Sequence, residues 1–244
     1  MTRRESALRQ SWDANAAAWT SAVRSGQIES RALGTDRAIL EAVLETNPRS
    51  VLDVGCGEGW LCRSLTARGV SAIGVDGSAE LVEEAKRAGG GVFHVLDYAE
   101  LAGGGEIPGG GLHDAIALNF ALLGDDHTAH LRALTGHLSP GGRIVLQTVH
   151  PWTARHDQPY RCGWRMETFA AFGSGFRTAM PWYYRTVERW VEEFHDAGFC
   201  IVALREPRHP ETSEPLSLLL IAQPLPHPGR DADPTPPDHR IRGV

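Results

Sequence analysis

The first quarter of the chain carries apolar side chains at the spacing of two helices. In residues 6–24 they recur every three or four positions, which places them on one helical face. These positions are Leu8, Trp12, Ala16, Trp19 and Val23. A second helix is predicted over residues 28–45, and Asn47 followed by Pro48 ends it. Residues 1–46 therefore form a helical segment that precedes the first strand.

Between residues 47 and 150, short apolar runs alternate with amphipathic segments. The apolar runs predict strands at 50–54, 71–75, 92–96, 114–119 and 143–148. The amphipathic segments predict helices at 60–68, 79–88 and 128–138, and the glycine-rich stretch 101–112 predicts a loop. Strands that alternate with helices form a mostly parallel sheet covered on both faces, so the fold class is α/β.

The pattern changes after the fifth strand. Residues 151–185 are rich in aromatic side chains, arginine and proline without a clear period, so we interpret them as an insert that caps the core. Residues 186–223 complete the core, with a helix predicted at 186–197 and antiparallel strands at 199–204 and 216–223. Proline-rich residues 224–244 cannot bury a core, and we expect a disordered tail there.

Charge, apolar runs and cysteine content disfavour several kinds of partner and location. A net charge of −6 disfavours nucleic acid, since duplex binding depends on Lys and Arg that neutralise phosphates. Residues 1–6 are too charged for a signal peptide, and the apolar run 218–222 is too short to span a bilayer. The four cysteines lack paired C-x-x-C spacing, which favours a reduced cytoplasmic protein without a metal site. We expect a monomer or a homodimer.

A glycine-rich loop, Gly55-Cys56-Gly57-Glu58-Gly59, joins the first predicted strand to the next helix. Open α/β sheets bind ligands at this carboxyl edge, and glycines let the backbone approach a ligand closely. The dinucleotide fingerprint needs a glycine at position 60, where this chain has Trp60, so an NAD-linked oxidoreductase is disfavoured. A plain chain reversal is the alternative interpretation of the loop.

Two aspartates near the loop indicate a ligand with hydroxyl or amino groups. Asp76 ends the second predicted strand, about 20 residues after the loop, where a carboxylate accepts hydrogen bonds from ribose hydroxyls. A helix cap is the alternative interpretation of Asp76. Asp53 lies inside the first strand, where an ionised carboxylate is costly to bury unless a donor or a cation meets it.

The order of these segments carries a family resemblance. Residues 51–59 (VLDVGCGEG) resemble the first motif of class I S-adenosylmethionine (SAM)-dependent methyltransferases. The later segments that resemble the family are 73–78 (IGVDGS), 95–98 (VLDY), 113–119 (HDAIALN) and 138–143 (LSPGGR). The resemblance implies a Rossmann-like sheet of seven mostly parallel strands with an antiparallel final strand. It is closest to the small-molecule type, with a helical N-terminal lid and an aromatic-rich insert after the fifth strand.

The resemblance also implies a role in SAM binding for each matching residue. The glycines of the loop would pass beneath the methionine and ribose, Asp76 would bind the ribose hydroxyls, and Asp97 with Tyr98 would bind the adenine amine. Asp53 would orient the loop and the ammonium group, and Cys56 has no redox role. The predicted cofactor-binding residues are Trp19, Arg31, Asp53, Gly55, Cys56, Gly57, Gly59, Asp76, Gly77, Ser78, Asp97, Tyr98, Asn119 and Phe120.

The predicted acceptor side consists of the lid, residues 1–46, and the aromatic insert. A closed lid excludes water and orients the reactants. Arg31 would pair with the cofactor carboxylate, with a surface position as the alternative. For Trp12 and Trp19, packing as core anchors is as much expected as contact with a ligand. Because aromatic walls suit a flat or apolar acceptor, the predicted substrate-binding residues are Trp12, Asn15, His150, Trp152, Tyr183 and Tyr184.

A base assists methyl transfer to a hydroxyl of high pKa. His150 directly follows the fifth strand and is the first candidate, Tyr184 is the second catalytic candidate, and His195 comes next. A turn residue is the alternative interpretation of His150.

Together these features predict a methyltransferase that acts on a small organic acceptor, with oxygen favoured over nitrogen or carbon. The segment Asn119-Phe120-Ala121-Leu122 lacks the Asn-Pro-Pro-Tyr-type motif of enzymes that methylate proteins or nucleobase amines. A non-catalytic SAM-binding module without an acceptor site is the main alternative, and an NAD-linked oxidoreductase is the third.

Overall fold

The computed structural model describes residues 2–226 and contains two sheets. The strands are β1 (Ser50–Val54), β2 (Ser71–Asp76), β3 (Val92–Val95), β4 (His113–Asn119), β5 (Leu138–Val149), β6 (Gly163–Glu167), β7 (Met180–Tyr184), β8 (Phe199–Arg205) and β9 (Ser217–Pro224). The helices are α1 (Arg3–Arg24), α2 (Asp36–Leu44), α3 (Trp60–Thr66), α4 (Ala79–Ala88), α5 (Tyr98–Ala102), α6 (Thr128–Leu134), α7 (Pro151–Ala154) and α8 (Val187–Asp196).

The larger sheet has seven strands in the order β3-β2-β1-β4-β5-β9-β8. The first five are parallel, and β9 runs antiparallel between β5 and β8. The predicted fold class, an α/β Rossmann-like sheet with an antiparallel final strand, is therefore confirmed.

Successive side chains of the central strands pack on opposite faces of the sheet. Leu52, Ile116 and Leu146 join one buried cluster with α6 and α8, whereas Val51 and Ala117 join the other with α2, α3 and α4. Because the side chains of a strand alternate with a period of two, both faces of an apolar strand become core. The polar exceptions on the strands are therefore candidates for function.

The N-terminal helices differ in two respects from the prediction. α1 begins at Arg3 because Thr2 and Glu5 form a capping box, in which each side chain accepts a hydrogen bond from the backbone of the other. The predicted continuous helix over 28–45 is wrong, because a wide helical turn at Arg31–Thr35 kinks at Gly34 before α2 begins.

The aromatic insert contains more regular structure than its sequence pattern indicates. β6 and β7 form an antiparallel hairpin separate from the main sheet, in which Glu167 pairs with Met180 and Arg165 with Trp182. The division into lid, core, insert and C-terminal part stays a prediction.

Three boundaries also differ. The predicted loop at 101–112 begins inside α5, which Asp97 and Glu100 cap. β5 begins at Leu138, before the predicted turn. β9 includes Pro224, so the strand extends into the predicted tail, and residues 227–244 of that tail lie outside the described residues. Within residues 2–226, no helix is both long and apolar enough to cross a membrane.

Candidate active site

A cavity of about 440 Å³ opens at the carboxyl ends of the parallel strands. It lies where β1 neighbours β4 although β2 and β3 separate them in the chain, the topological switch point at which α/β sheets bind ligands. Side chains of α1 and of the β6–β7 hairpin complete its lining. The predicted cofactor-binding residues that line it are Trp19, Arg31, Gly55, Cys56, Gly57, Asp76, Gly77, Ser78, Asp97, Tyr98, Asn119 and Phe120.

The glycine loop passes beneath this cavity in a backbone conformation that requires glycine. Gly55 has a φ of 76°, and a Cβ there would lie only 2.5 Å from the Cβ of Ala121. Gly57 has a φ of 55°, and its Cβ would project toward the indole nitrogen of Trp19 at 3.8 Å. A side chain at Gly57 would therefore enter the space between the loop and α1.

Asp76, the last residue of β2, fixes the backbone around the cavity. Its Oδ2 accepts a hydrogen bond from the Gly57 amide at 2.8 Å, and its Oδ1 accepts one from the Ser78 amide at 2.8 Å. Burial raises the pKa of this carboxyl, while the two amides act in the opposite direction. Each carboxylate oxygen can accept a further bond from a ligand donor.

Asp53 and Gly59 do not line the cavity. The Asp53 side chain is buried beside α3, where the Cys62 thiol donates to its Oδ2 at 3.6 Å. Its Oδ1 has no hydrogen-bond partner among the residues that the structure describes. Burial raises the pKa of Asp53 to about 7, with the neighbouring Asp76 adding to the shift. Gly59 packs against Phe93, so its contact is with the core.

The predicted adenine residues lie at the start of α5. Asp97 caps this helix, with its Oδ1 accepting from the Glu100 amide at 2.8 Å, and its Oδ2 pairs with Arg9 at 3.1 Å. The Tyr98 hydroxyl donates to the Ala121 carbonyl at 3.0 Å, which ties α5 to the segment after β4. Burial raises the pKa of Tyr98, so this phenol stays protonated.

The end of β4 is held by a buried glutamine of β5. Gln147 donates from Nε2 to the Asn119 side-chain oxygen at 2.9 Å and to the Thr35 carbonyl at 2.9 Å. Its backbone carbonyl accepts from the Phe120 amide at 2.7 Å, and Phe120 has a φ of 53°. A bulky residue rarely adopts this left-handed conformation, and such strain is concentrated at ligand sites.

Arg31 is positioned by two neighbouring side chains just before α2. Its guanidinium stacks over the Trp60 ring at 4.6 Å, and its Nε pairs with Asp36 at 3.1 Å. The side chain is 12% exposed, so the alternative of a surface arginine is wrong. Trp60, at the position where a dinucleotide fingerprint has glycine, thus supports a cation that lines the cavity.

Glu58 is a buried anchor that the sequence reasoning did not single out. Both of its carboxylate oxygens accept from Arg63 Nη2, at 2.8 and 2.6 Å. Oε2 also accepts from Arg24 Nε at 2.9 Å, so the loop is linked both to α3 and to the end of α1. The only local sign of this ion pair in the sequence is the acidic Glu58 placed five residues before the basic Arg63.

An aromatic wall faces the loop across the cavity. The rings of Trp12 and Trp19 meet edge to face at 5.2 Å, Phe169 lies 6.3 Å from Trp12, and Phe172 lies 6.0 Å from Trp19. These four residues and Trp182 of β7 line the cavity. Part of the aromatic insert therefore packs on α1. This packing is also what we expect if Trp12 and Trp19 are core anchors.

Asn15 fastens α1 to the insert and lies outside the cavity lining. Its Nδ2 donates to the Thr178 carbonyl at 2.7 Å, and its Oδ1 accepts from the Arg177 amide at 2.8 Å. Because these backbone groups and the Ser11 hydroxyl occupy the amide and the side chain is buried, Asn15 positions the segment before β7. This contact replaces the substrate contact that the sequence predicts.

His150 and Tyr184, the predicted catalytic residues, have structural partners outside the cavity. His150 accepts from the Trp152 amide at its Nδ1 and lies 3.0 Å from Glu206 through its Nε2. Both nitrogens are therefore engaged within the protein, and His150 caps α7. Tyr184 is fully buried and donates its hydroxyl to the Pro151 carbonyl at 2.6 Å.

The remaining acceptor candidates also lie elsewhere. Trp152 is 59% exposed and stacks on Arg155. Tyr183 packs on Trp164, on the face of the hairpin opposite Trp182. His195 is exposed on α8. Because successive side chains of a strand point to opposite faces, Trp182 faces the cavity and its neighbour Tyr183 faces away from it.

Two histidines that the sequence reasoning passed over line the cavity instead. His127 precedes α6 and His130 lies in its first turn, and their Nδ1 atoms are 3.1 Å apart. Burial lowers the pKa of both, and Arg185 lowers that of His127 further. Both rings pack on Tyr98. The sequence offered one sign of this pair, because two residues that are three positions apart at the start of a predicted helix lie side by side.

Comparison with known proteins identifies the family. A family model described as a methyltransferase domain matches residues 29–204, which is more than half of the chain. The chain belongs to this family. The match, together with the sheet order, confirms the predicted class I SAM-dependent methyltransferase.

Sequence relatives and solved structures agree with this assignment. An uncharacterized methyltransferase of Mycobacterium bovis is 28% identical over 155 residues, covering 63% of this chain and 75% of the relative. Magnesium protoporphyrin IX methyltransferase from Synechocystis, solved with S-adenosylhomocysteine (SAH), has a TM-score of 0.62 at 18% identity, covering 89% of this chain and 98% of that chain. A Burkholderia thailandensis 1,6-didemethyltoxoflavin-N1-methyltransferase has a TM-score of 0.60 at 18% identity, covering 90% and 91%.

For this methyltransferase, two sets of side chains line one cavity. Asp76, Asp97 and Arg31, near the glycine loop, are the ionisable set and suit a polar ligand. Val149, at the end of β5, and the aromatic wall are the apolar set. The site can thus hold a polar donor beside a flatter, less polar acceptor.

Proposed function

We propose that this methyltransferase transfers the methyl group of SAM to a small, flat organic acceptor, with oxygen as the favoured atom. The observation that supports this most is the continuity of the cavity, which joins the glycine loop and Asp76 to Trp12, Phe169 and Trp182. When bound, SAM supplies an electrophilic methyl group on a sulfonium. The enzyme's own task is then to position, desolvate and deprotonate.

The residues near the glycine loop fit SAM. The absence of a Cβ at Gly57 leaves room between the loop and Trp19, and Asp76 keeps acceptor capacity for ribose hydroxyls. Arg31 would hold the methionine carboxylate, and Asp97 would accept from the adenine amine in addition to its bond with Arg9. Asn119 and Phe120 would lie beside the methionine. Asp53, which lies beneath the glycine loop, would orient that loop.

The aromatic wall would orient the acceptor. Trp12 and Trp182 offer flat apolar faces, and α1 and the hairpin that carry them are fastened to each other through Asn15. This enclosure limits water near the reacting atoms, which favours transfer to the acceptor over hydrolysis. The Synechocystis and Burkholderia neighbours are named for small molecules, which agrees with a small acceptor here.

A hydroxyl acceptor needs a proton acceptor, and we assign that role to the His127–His130 pair. One Nδ1 must donate to the other, so the pair shares a single proton between these atoms. Their lowered pKa values keep both rings neutral at neutral pH, the form that accepts a proton. Neighbouring charges also act on these pKa values. Asp126, Glu5 and Asp97 act to raise the pKa of His130, and Arg185 lowers that of His127.

The deciding experiment supplies SAM with an isotopically labelled methyl group and a panel of phenols, carboxylic acids and amines. We expect a gain of one labelled methyl group on a phenol or another hydroxyl compound, together with SAH. Binding of SAM without transfer to any acceptor would favour the non-catalytic module instead. Stabilisation by NADH but not by SAM would overturn the proposal. A cytoplasmic location and a monomeric or homodimeric state stay predictions.

A further inference from the structure

Glu167 ends β6 at the acceptor side of the cavity. It pairs in register with Met180 of β7, and Met180 and Trp182 alternate onto the same face of the hairpin. All three side chains line the cavity, together with Phe169 and the end of β5 at Val149. A carboxylate therefore stands in a wall that is otherwise aromatic and apolar.

The Glu167 carboxylate lacks a cationic partner. Its Oε1 accepts from the Phe169 amide at 2.6 Å, and Oε2 forms no hydrogen bond with the residues described. Within residues 2–226 it forms no ion pair. Arg165, two residues earlier on the same face, points elsewhere, since it donates to the Ala154 carbonyl at 2.7 Å and covers the Tyr184 ring.

Most of the other charged side chains that line the cavity have an ionic partner. Asp97 pairs with Arg9, Glu58 with Arg24 and Arg63, and Arg31 with Asp36. Asp76 accepts two backbone amides, and Glu5 belongs to the cap of α1. Glu167 therefore adds a carboxylate without an ionic partner to the part of the lining that is otherwise aromatic and apolar.

We propose that Glu167 binds a protonated amine of the acceptor. The inference rests on the proposed function, and it narrows the acceptor to flat cationic molecules. Aromatic faces such as those of Trp182 and Phe169 also attract a cation, so the wall and the carboxylate select the same charge. A protonated nitrogen has no lone pair for the methyl group. Glu167 would thus hold the amine while a separate hydroxyl of the same molecule is methylated.

Three phenols of similar size and different charge test this proposal. They are tyramine, which is cationic, tyrosol, which is neutral, and 4-hydroxyphenylacetate, which is anionic. Isothermal titration in the presence of SAH measures their affinities without requiring turnover. We expect tyramine to bind at least about tenfold more tightly than tyrosol, and the anion to bind most weakly. Serotonin and its neutral N-acetyl derivative form a second, larger pair.

Glu167→Gln keeps an oxygen for the Phe169 amide and removes only the charge, so it should lose most of the preference for tyramine over tyrosol and keep only the part that the aromatic faces contribute. Glu167→Asp should retain the preference in part, and Glu188→Gln, on the exposed side of α8, should leave it unchanged. Equal binding of cation and neutral analogue by the wild type, in both series, would overturn the proposal. So would a preference that is undiminished in Glu167→Gln. If instead SAM binds and none of the phenols, carboxylic acids and amines is methylated, the proposed function itself fails.

Discussion

The Glu58 carboxylate, in the glycine loop, accepts a hydrogen bond from Arg24 Nε at 2.9 Å, at the last turn of α1. This contact links a loop predicted to hold the cofactor to a helix predicted to cover it. Arg63 binds the same carboxylate from α3, so Glu58 is fully buried between two cations. Glu58 is therefore the side chain through which the glycine loop binds the end of α1.

Glu58→Gln should lower both stability and cofactor affinity. Removing the charge leaves two arginines facing a neutral amide, which should cost about 2–4 kcal/mol in the free energy of unfolding. Urea denaturation measures this change, and calorimetry with SAM measures the accompanying loss of affinity. Glu83→Gln, which loses only an exposed pair with Lys86, should change stability by less than about 1 kcal/mol. Equal effects of the two substitutions would contradict the role of Glu58.

Asp76→Asn should weaken SAM binding by about 1–3 kcal/mol, because an amide nitrogen cannot accept from a ribose hydroxyl or from the Gly57 amide. Asp114→Asn is a matched control. Asp114 also accepts two backbone amides, from Arg49 and Ser50, but at the opposite end of the sheet. Both variants should lose stability, whereas only Asp76→Asn should lose affinity in calorimetry. Unchanged affinity for SAM would remove Asp76 from the site.

His130→Asn should reduce turnover of hydroxyl acceptors by about 10²-fold or more, because the proton acceptor is lost. In the wild type, kcat/KM should fall as the pH drops through a pKa below the usual 6.5 of histidine, since burial lowers that pKa. The variant should lose this decrease. An acidic phenol that is already ionised should be methylated by both proteins at similar rates. His195→Gln, at the exposed end of α8, should behave as wild type. A pH profile unaffected by His130→Asn would exclude this role.

The sequence was sufficient for the strands of the seven-stranded sheet and for the glycine loop because their signals are local. Val51 to Val54 form a continuous apolar run broken only by Asp53, and Gly55 and Gly57 mark a backbone that other residues rarely adopt. Asp76 was predictable since the ends of neighbouring parallel strands meet at one edge of the sheet.

The acceptor side was less predictable because its contacts join distant residues. His150 is engaged by Glu206, 56 residues later, and Asn15 by Thr178, 163 residues later. No period in the sequence reports such pairs. The register of β6 on β7 is likewise set by hairpin pairing, so the choice of Trp182 over Tyr183 for the cavity could not be read from composition.

Asp53 should make stability depend on pH. Burial raises its pKa from 3.8 to about 7, so between these values the folded state binds more protons than the unfolded state. Stability contributed by the protonated form is therefore present below pH 3.8 and is lost as the pH rises through about 7. Asp53→Asn should remove this loss, with a difference from wild type of up to about 4 kcal/mol above pH 7 relative to pH 4.

Urea denaturation of both proteins across this range isolates the effect of Asp53, because the lowered pKa values of the buried histidines act on both proteins alike. Cys62→Ala provides a second comparison. It removes the thiol that donates to Oδ2 and should raise the pKa of Asp53 further, so stability should keep falling to a higher pH than in the wild type before it levels off. Parallel pH profiles for the wild type and Asp53→Asn would mean that water or the loop backbone already stabilises the ionised carboxylate.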